Sequence, residues 1–112
     1  REIYFDFDEA EITTSAKSAL EENAKCFTER KGSTNEVKKV LVTGHCDDRG
    51  TDEYNMRLGQ RRADATDKLL RKLGVEKGKI KANSKGEMDL VVPNARTEDE
   101  HARNRRAVTK YE

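Results

Sequence analysis

Tryptophan is absent from this chain, proline occurs once, and aromatic residues make up 5% of it. A core with so few large rings is a modest one. No apolar run approaches the roughly 18 residues that a helix needs to cross a bilayer, and no segment reads as a signal peptide. Charge of one sign is also missing. The 23 Lys and Arg nearly cancel the 22 Asp and Glu, for a net charge of +1. No bulk field therefore favours nucleic acid or an anionic membrane. Cysteine is sparse. Cys26 and Cys46 fit either a disulfide in an oxidising compartment or two small, half-buried thiols, and spacing does not decide between them. There is no internal repeat and no low-complexity tract.

What the chain has in quantity is charge, at 40% of residues against 33% hydrophobic. The apolar residues nevertheless cluster into periodic segments, so a folded chain is expected rather than a disordered one. A length of 112 residues suits a single domain, residues 1–112. Arg1 stands directly ahead of a strand. The domain is therefore expected to be excised from a longer secreted precursor, with any lipid anchor or barrel upstream.

Residues 2–7 predict a strand, with Ile3, Phe5 and Phe7 alternating against polar neighbours. Thr13, Thr14 or Ser15 can cap a helix to about Arg30, with Ala16, Ala19, Leu20, Ala24 and Phe27 at helical spacing. Residues 31–35 are turn chemistry, and Val37 to Thr43 is a short β-branched strand. A long helix is expected from Glu53 to Leu73, stopped by Gly74. Lys79 to Ser84 is a weak strand. Residues 85–96 read as a loop containing Gly86 and Pro93. Thr97 and Glu100 form a capping-box pattern opening a short helix, and Arg105 to Tyr111 is the last strand. The sum is an α/β two-layer sandwich, β-α-β-α-β-(α)-β, with helices packed on a mixed sheet.

The run Gly44-His45-Cys46-Asp47-Asp48-Arg49-Gly50 ends the second strand and leads into the long helix. Asp47 and Arg62 stand fifteen residues apart, on separate elements that can face one small site. An acid and a base held in this way can grip a ligand that carries both charges, such as an amino acid head group. Each residue also has a plainer reading. Arg62 interrupts the inward stripe Leu58, Arg62, Ala65, Leu69, Leu73, so it either snorkels, pairs with a structural carboxylate or reaches a polar pocket. Asp47 can equally be a turn-making aspartate. Asp48 and Arg49 read as loop residues that pair with each other or nearby, Gly50 as the residue of a tight turn, and His45 as a histidine satisfying a backbone group.

The same residues bear on two other chemistries. His45, Cys46, Asp47 and Asp48 contain metal-ligand types, but adjacent residues rarely converge on one ion, and no Cys-x-x-Cys or His-x-x-x-His spacing supports zinc. No metal or cofactor is expected. A hydrolase needs a nucleophile, a base and an oxyanion hole in mutual reach. His45 and Cys46 are neighbours that point to opposite faces of a strand. A non-enzymatic domain is expected.

The run Gly44-His45-x-Asp47-x-Arg49-Gly50-Thr51-x-Glu53-Tyr54-Asn55-x-x-Leu58-Gly59-x-Arg61-Arg62-Ala63 resembles the core signature of the OmpA-like peptidoglycan-binding domain. Its form is nearest that of the family's peptidoglycan-associated lipoprotein branch. Ile3-Tyr4-Phe5-Asp6-Phe7-Asp8 and Asn104-Arg105-Arg106-Ala107-Val108 match the opening and closing blocks. The resemblance implies a non-catalytic domain that binds the diaminopimelate of the peptidoglycan stem peptide and ties the outer membrane to the wall from the periplasm. The membrane would be reached only through an anchor outside this chain. It places Asp47 on the ligand's ammonium and Arg62 on its carboxylate. Backbone amides near Phe7 and Asp8 add donors, Leu58 packs against the methylenes, and Asn55 and Arg105 complete the pocket. The lipoprotein branch also docks on the translocation protein TolB. A protein-docking module, or a flagellar-stator or OmpA-type wall-binding domain, is thus the alternative. Three positions depart from the family pattern: Thr43 replaces a glutamate, Cys46 a smaller residue and Lys85 an aromatic.

Overall fold

The computed structural model describes residues 2–112, apart from the side chain of Cys26. In chain order the elements are β1 (Glu2–Tyr4), α1 (Thr14–Arg30), β2 (Val40–His45), α2 (Asp52–Lys72), β3 (Ile80–Gly86), α3 (Glu98–Asn104) and β4 (Arg106–Tyr111), with a 3-10 turn at Lys77–Lys79. The sheet order is β1-β4-β2-β3. β2 and β3 are parallel, joined by the α2 crossover, while β4 runs antiparallel to β1 and β2. The expected α/β sandwich on a mixed sheet is the observed architecture.

Local chemistry explains the boundaries. The Thr13 hydroxyl accepts from the Ala16 amide and starts α1. Thr51 does the same for α2 through Tyr54, with Asp52 and Glu53 in the first turn, where the helix dipole favours acids. α2 stops at Gly74, whose φ is +101°. The amides of Val75 and Gly74 return to the carbonyls of Leu70 and Arg71 at 3.0 and 3.2 Å, and buried Val75 and Leu70 close this Schellman motif. The capping box of Thr97 and Glu100 is present at α3.

The core lies between the helices and the sheet. Ala16, Leu20, Ala24 and Phe27 of α1 meet Val40 and Val42 of β2, Ala63 and Leu70 of α2, Ile3, Phe5, Val75 and Ala107. Burying a side chain such as Leu20 or Phe27 contributes about 1.5–3 kcal/mol. Ala19, counted on the inward stripe, is exposed.

Three expectations shift. β1 ends at Tyr4, short of residue 7, because the chain turns after Phe5: the Glu9 amide bonds the Asp6 carbonyl at 3.1 Å, and Asp8 takes a left-handed φ of +58°. Phe7 leaves the alternation and is 53% exposed. β2 is Val40–His45 rather than 37–43, since Lys38 and Lys39 donate to the Glu112 carbonyl at the chain end. The buried face of α2 is Asn55, Leu58, Gly59, Arg62, Ala63, Thr66 and Leu70, so Ala65, Leu69 and Leu73 only flank it. Two glycines cause this rotation. A Cβ on Gly44 would sit 1.7 Å from the Gly59 carbonyl oxygen, and a Cβ on Gly59 would sit 2.2 Å from Ser84 Oγ. Backbone thus presses on backbone, and α2 turns its glycine edge to the sheet.

Cys46 is a free, buried thiol that donates to the Asn55 carbonyl at 3.1 Å. The other half of the disulfide question, the Cys26 side chain, lies outside the described residues.

Candidate functional site

The C-terminal end of β2, the loop into α2 and the turn after β1 meet around a cavity of about 230 Å³. Ligands of α/β sheets favour such strand ends. Phe7, Asp8, Asp47, Asn55, Leu58 and Arg62, all predicted from the sequence, line it. Arg105 is outside the lining but reaches Asp47 at 3.5 Å.

Arg62 is fully buried. Its Nε donates to the Glu9 carbonyl at 2.8 Å, Nη1 to the His45 carbonyl at 2.9 Å and Nη2 to the Asp6 carbonyl at 3.1 Å. The guanidinium lies 5.3 Å from the centre of the Phe5 ring. Burial pushes its pKa down, with Asp47 among the charges opposing that shift. The arginine therefore neither snorkels nor pairs with a structural carboxylate. It ties the turn after β1, the end of β2 and α2 together through backbone carbonyls. Its planar fork carries further N–H groups, on a side chain that lines the cavity.

Asp47 is only 4% exposed, and both oxygens are engaged. Oδ1 accepts from the Arg49 amide at 3.1 Å, and Oδ2 accepts from Arg49 Nη2 at 2.8 Å and Arg105 Nη1 at 3.5 Å. Burial acts to raise its pKa. The hydrogen bonds from Arg49 outweigh that and hold the carboxyl below its ordinary range. Arg49 itself stacks over Phe7 at 4.2 Å and lies 3.4 Å from Glu98. Arg105 donates to the Phe5 carbonyl at 2.9 Å and to Glu98 at 2.7 Å.

Asn55 is buried and donates to Glu87 at 2.9 Å, fixing the start of α2 to the segment after β3. Tyr54 donates its hydroxyl to Asp8. The site thus alternates in sign, with Arg62, Arg49 and Arg105 around Asp47, Asp8 and Glu98. It can hold a small ligand with both charges, close to a dry wall at Leu58.

A family model for the OmpA family matches residues 4–105. The chain belongs to the OmpA family. This OmpA-family domain is 40% identical over 109 residues to the peptidoglycan-associated lipoprotein of Haemophilus influenzae, covering 97% of this chain and 67% of that protein. It is 37% identical over 108 residues to the same-named protein of Pseudomonas aeruginosa, covering 96% of this chain and 60% of that one. The chain therefore spans about two thirds of the length of such relatives. The crystal structure of the peptidoglycan-associated lipoprotein from Burkholderia pseudomallei is similar to it with a TM-score of 0.87 and 34% identity, over all of this chain and 90% of that one.

Sequence reasoning missed Tyr54, Cys46 and Gly50 as lining residues of this cavity, and it gave Arg49 only a loop role. Arg49 does pair nearby, with Asp47, whereas Asp48 faces His101 at 3.7 Å. The one usable signal was position: Arg49 lies two residues from Asp47 across a tight turn. Lys85 does not line the cavity and pairs with Asp89 at 3.8 Å. His45 does not satisfy a backbone group through its ring. Its Nδ1 has no hydrogen-bond partner among the described residues, and burial with nearby Arg106 lowers its pKa to about 4. Burial pushes the Cys46 thiol up to about 11, so it is protonated at neutral pH. Among the described residues no group of three or more His, Cys, Asp or Glu is placed to hold a metal ion, and no helix is long and apolar enough to cross a membrane.

Proposed function

We propose that this domain binds the peptide stem of peptidoglycan, by the amino acid head group at the side-chain end of diaminopimelate, and so ties an outer-membrane component to the wall in the periplasm. Asp47 takes the ammonium and Arg62 the carboxylate, as two parallel hydrogen bonds that suit the guanidinium fork. Leu58 packs on the methylenes. Asp8, with its backbone, and Tyr54 border the entrance. The observation that carries the reading is that a buried aspartate and a buried arginine, from different elements, line one small cavity. The kinship with peptidoglycan-associated lipoproteins supports the ligand class. Weak single-site affinity suffices for a tethered domain facing a polymer of many stems.

A protein partner such as TolB is the second reading. Phe7, half-exposed at the cavity rim, favours it as an apolar contact for a docking chain.

Calorimetric titration with an uncrosslinked diaminopimelate muropeptide tests the first reading. Saturable binding is expected. A lysine-type stem lacks the side-chain carboxylate and leaves Arg62 without its ligand, so it should bind weaker by about 2–5 kcal/mol. Equal binding of the two stems would overturn the head-group assignment.

A further inference from the structure

We infer that Arg49 is an internal competitor for Asp47, and that Glu98 is the carboxylate that draws it away when a ligand ammonium arrives. This rests on the head-group reading above and assigns the residues that set its affinity and selectivity.

Any cation entering the cavity meets a carboxylate that is already compensated. Arg49 holds Asp47 by a side-chain contact at 2.8 Å and an amide contact at 3.1 Å. Arg49 is unlike Arg62, however. It lies on the loop between β2 and α2, its side chain is 36% exposed, and among the described residues its guanidinium bonds carboxylates and the face of Phe7 but no backbone carbonyl. A contact of this kind is exchangeable.

A second carboxylate is already in place for the exchange. While Nη2 of Arg49 sits on Asp47, Nη1 is 3.4 Å from Glu98 Oε2. Sliding to Glu98 replaces one charge-assisted contact by another of the same type. Arg105 shows the same division: its Nη1 is 2.7 Å from Glu98 but 3.5 Å from Asp47. Glu98 therefore competes with Asp47 for two guanidiniums. Once Arg49 moves, the buried Asp47 needs another cation, and an uncharged ligand end cannot supply it. Selectivity for an ammonium then comes from what the protein must give up to bind, as well as from what it gains.

The test is calorimetry with the diaminopimelate muropeptide and with the same stem acetylated at its side-chain amine, using wild type, Arg49→Gln, Arg49→Lys and Glu98→Gln. The glutamine at 49 keeps a hydrogen-bond donor for Asp47 but removes the competing charge. Arg49→Gln should tighten the free-amine ligand by about three- to tenfold and leave the acetylated one unchanged. Arg49→Lys, still cationic, should stay near wild type. Glu98 is exposed on the first turn of α3, so Glu98→Gln keeps the fold. It should weaken the free-amine ligand by a similar factor, because both guanidiniums settle on Asp47. Wild-type binding that weakens in Arg49→Gln, or that ignores Glu98→Gln, would overturn this inference and leave the head-group reading standing. A folded wild type that binds neither ligand would overturn both.

Discussion

The two poles of the cavity are built in different ways. Around Arg62 the protein spends backbone: carbonyls of Asp6, Glu9 and His45 receive the guanidinium, and among the described residues no side-chain carboxylate bonds it. Around Asp47 it spends side chains: Arg49, Arg105 and Glu98 share charge across a loop and the start of a short helix. Backbone carbonyls cannot turn away from a buried donor, whereas ion-paired side chains on a surface can trade partners. The arginine pole is thus a structural rivet as well as the proposed partner of the ligand carboxylate, and the aspartate pole is an adjustable one. Removing a residue from the first should cost the fold. Changing one in the second should alter ligand binding more than stability.

Arg62→Met is the sharpest way to break that comparison. It keeps the length of the chain inside the protein but unmakes one buried contact, to the His45 carbonyl, and two part-buried ones, to Asp6 and Glu9, so a loss of about 3 kcal/mol in stability is expected at about 1 kcal/mol each. Denaturant unfolding reads this directly. A variant as stable as wild type would mean that the carbonyl contacts are incidental, and that the two poles differ only in burial. If the expected loss is found, a fall in ligand binding by Arg62→Met says little until folding has been checked.

His45 ties the arginine pole to pH. Its carbonyl receives Arg62, while its ring is 3% exposed with a pKa of about 4 against an ordinary value of 6.5. The folded state resists protonation here and the unfolded chain does not. The contribution is complete above pH 6.5 and is lost as pH falls from there to about 4. The full linkage would be about 3 kcal/mol, and discounted for solvent screening about 1–2 kcal/mol remains. Melting curves between pH 7 and pH 4.5 should show this loss in wild type and a flatter profile in His45→Asn. Equal slopes for the two proteins would remove His45 from the account.

The sequence disclosed the acid and the base more readily than their surroundings. Strands, helices and caps follow from local periodicity and from residues such as Thr13, Thr51, Gly74 and Thr97, because those signals act within a few positions. Asp47 and Arg62 were legible since a charge on an apolar stripe and a carboxylate at a strand end both need an explanation. What stayed hidden depends on distant contacts. The rotation of α2 comes from Gly59 meeting Gly44 and Ser84, and nothing in the helix's own pattern records it. Phe7 kept the strand's alternation, yet the chain had already turned after Phe5, in the turn closed by the Glu9 amide and the Asp6 carbonyl. That Arg49 rather than a ligand would satisfy Asp47 depends on a loop conformation set by Gly50, whose φ is +103°.

Asp47→Asn gives the smallest expected change in stability and the clearest separation of the poles. Asparagine fills the same volume and still accepts from the Arg49 amide, while Arg49 and Arg105 keep Glu98 as a partner. The pairs it removes are buried on the aspartate side, but Glu98 stays 2.7 Å from Arg105 and 3.4 Å from Arg49, so no guanidinium is left without a carboxylate and a loss of about 1 kcal/mol is expected. The charge that an ammonium would require is nonetheless gone, so binding of a free-amine stem should fall far more than stability does. The mirror case is Arg62→Met, in which the fold suffers with the ligand. If Asp47→Asn unfolded as readily as Arg62→Met, the aspartate would be as structural as the arginine, and the loop around it a fixed scaffold. If it were as stable as wild type and bound the stem equally well, the carboxylate would have no part in recognition, and the positive pole alone would have to hold the ligand.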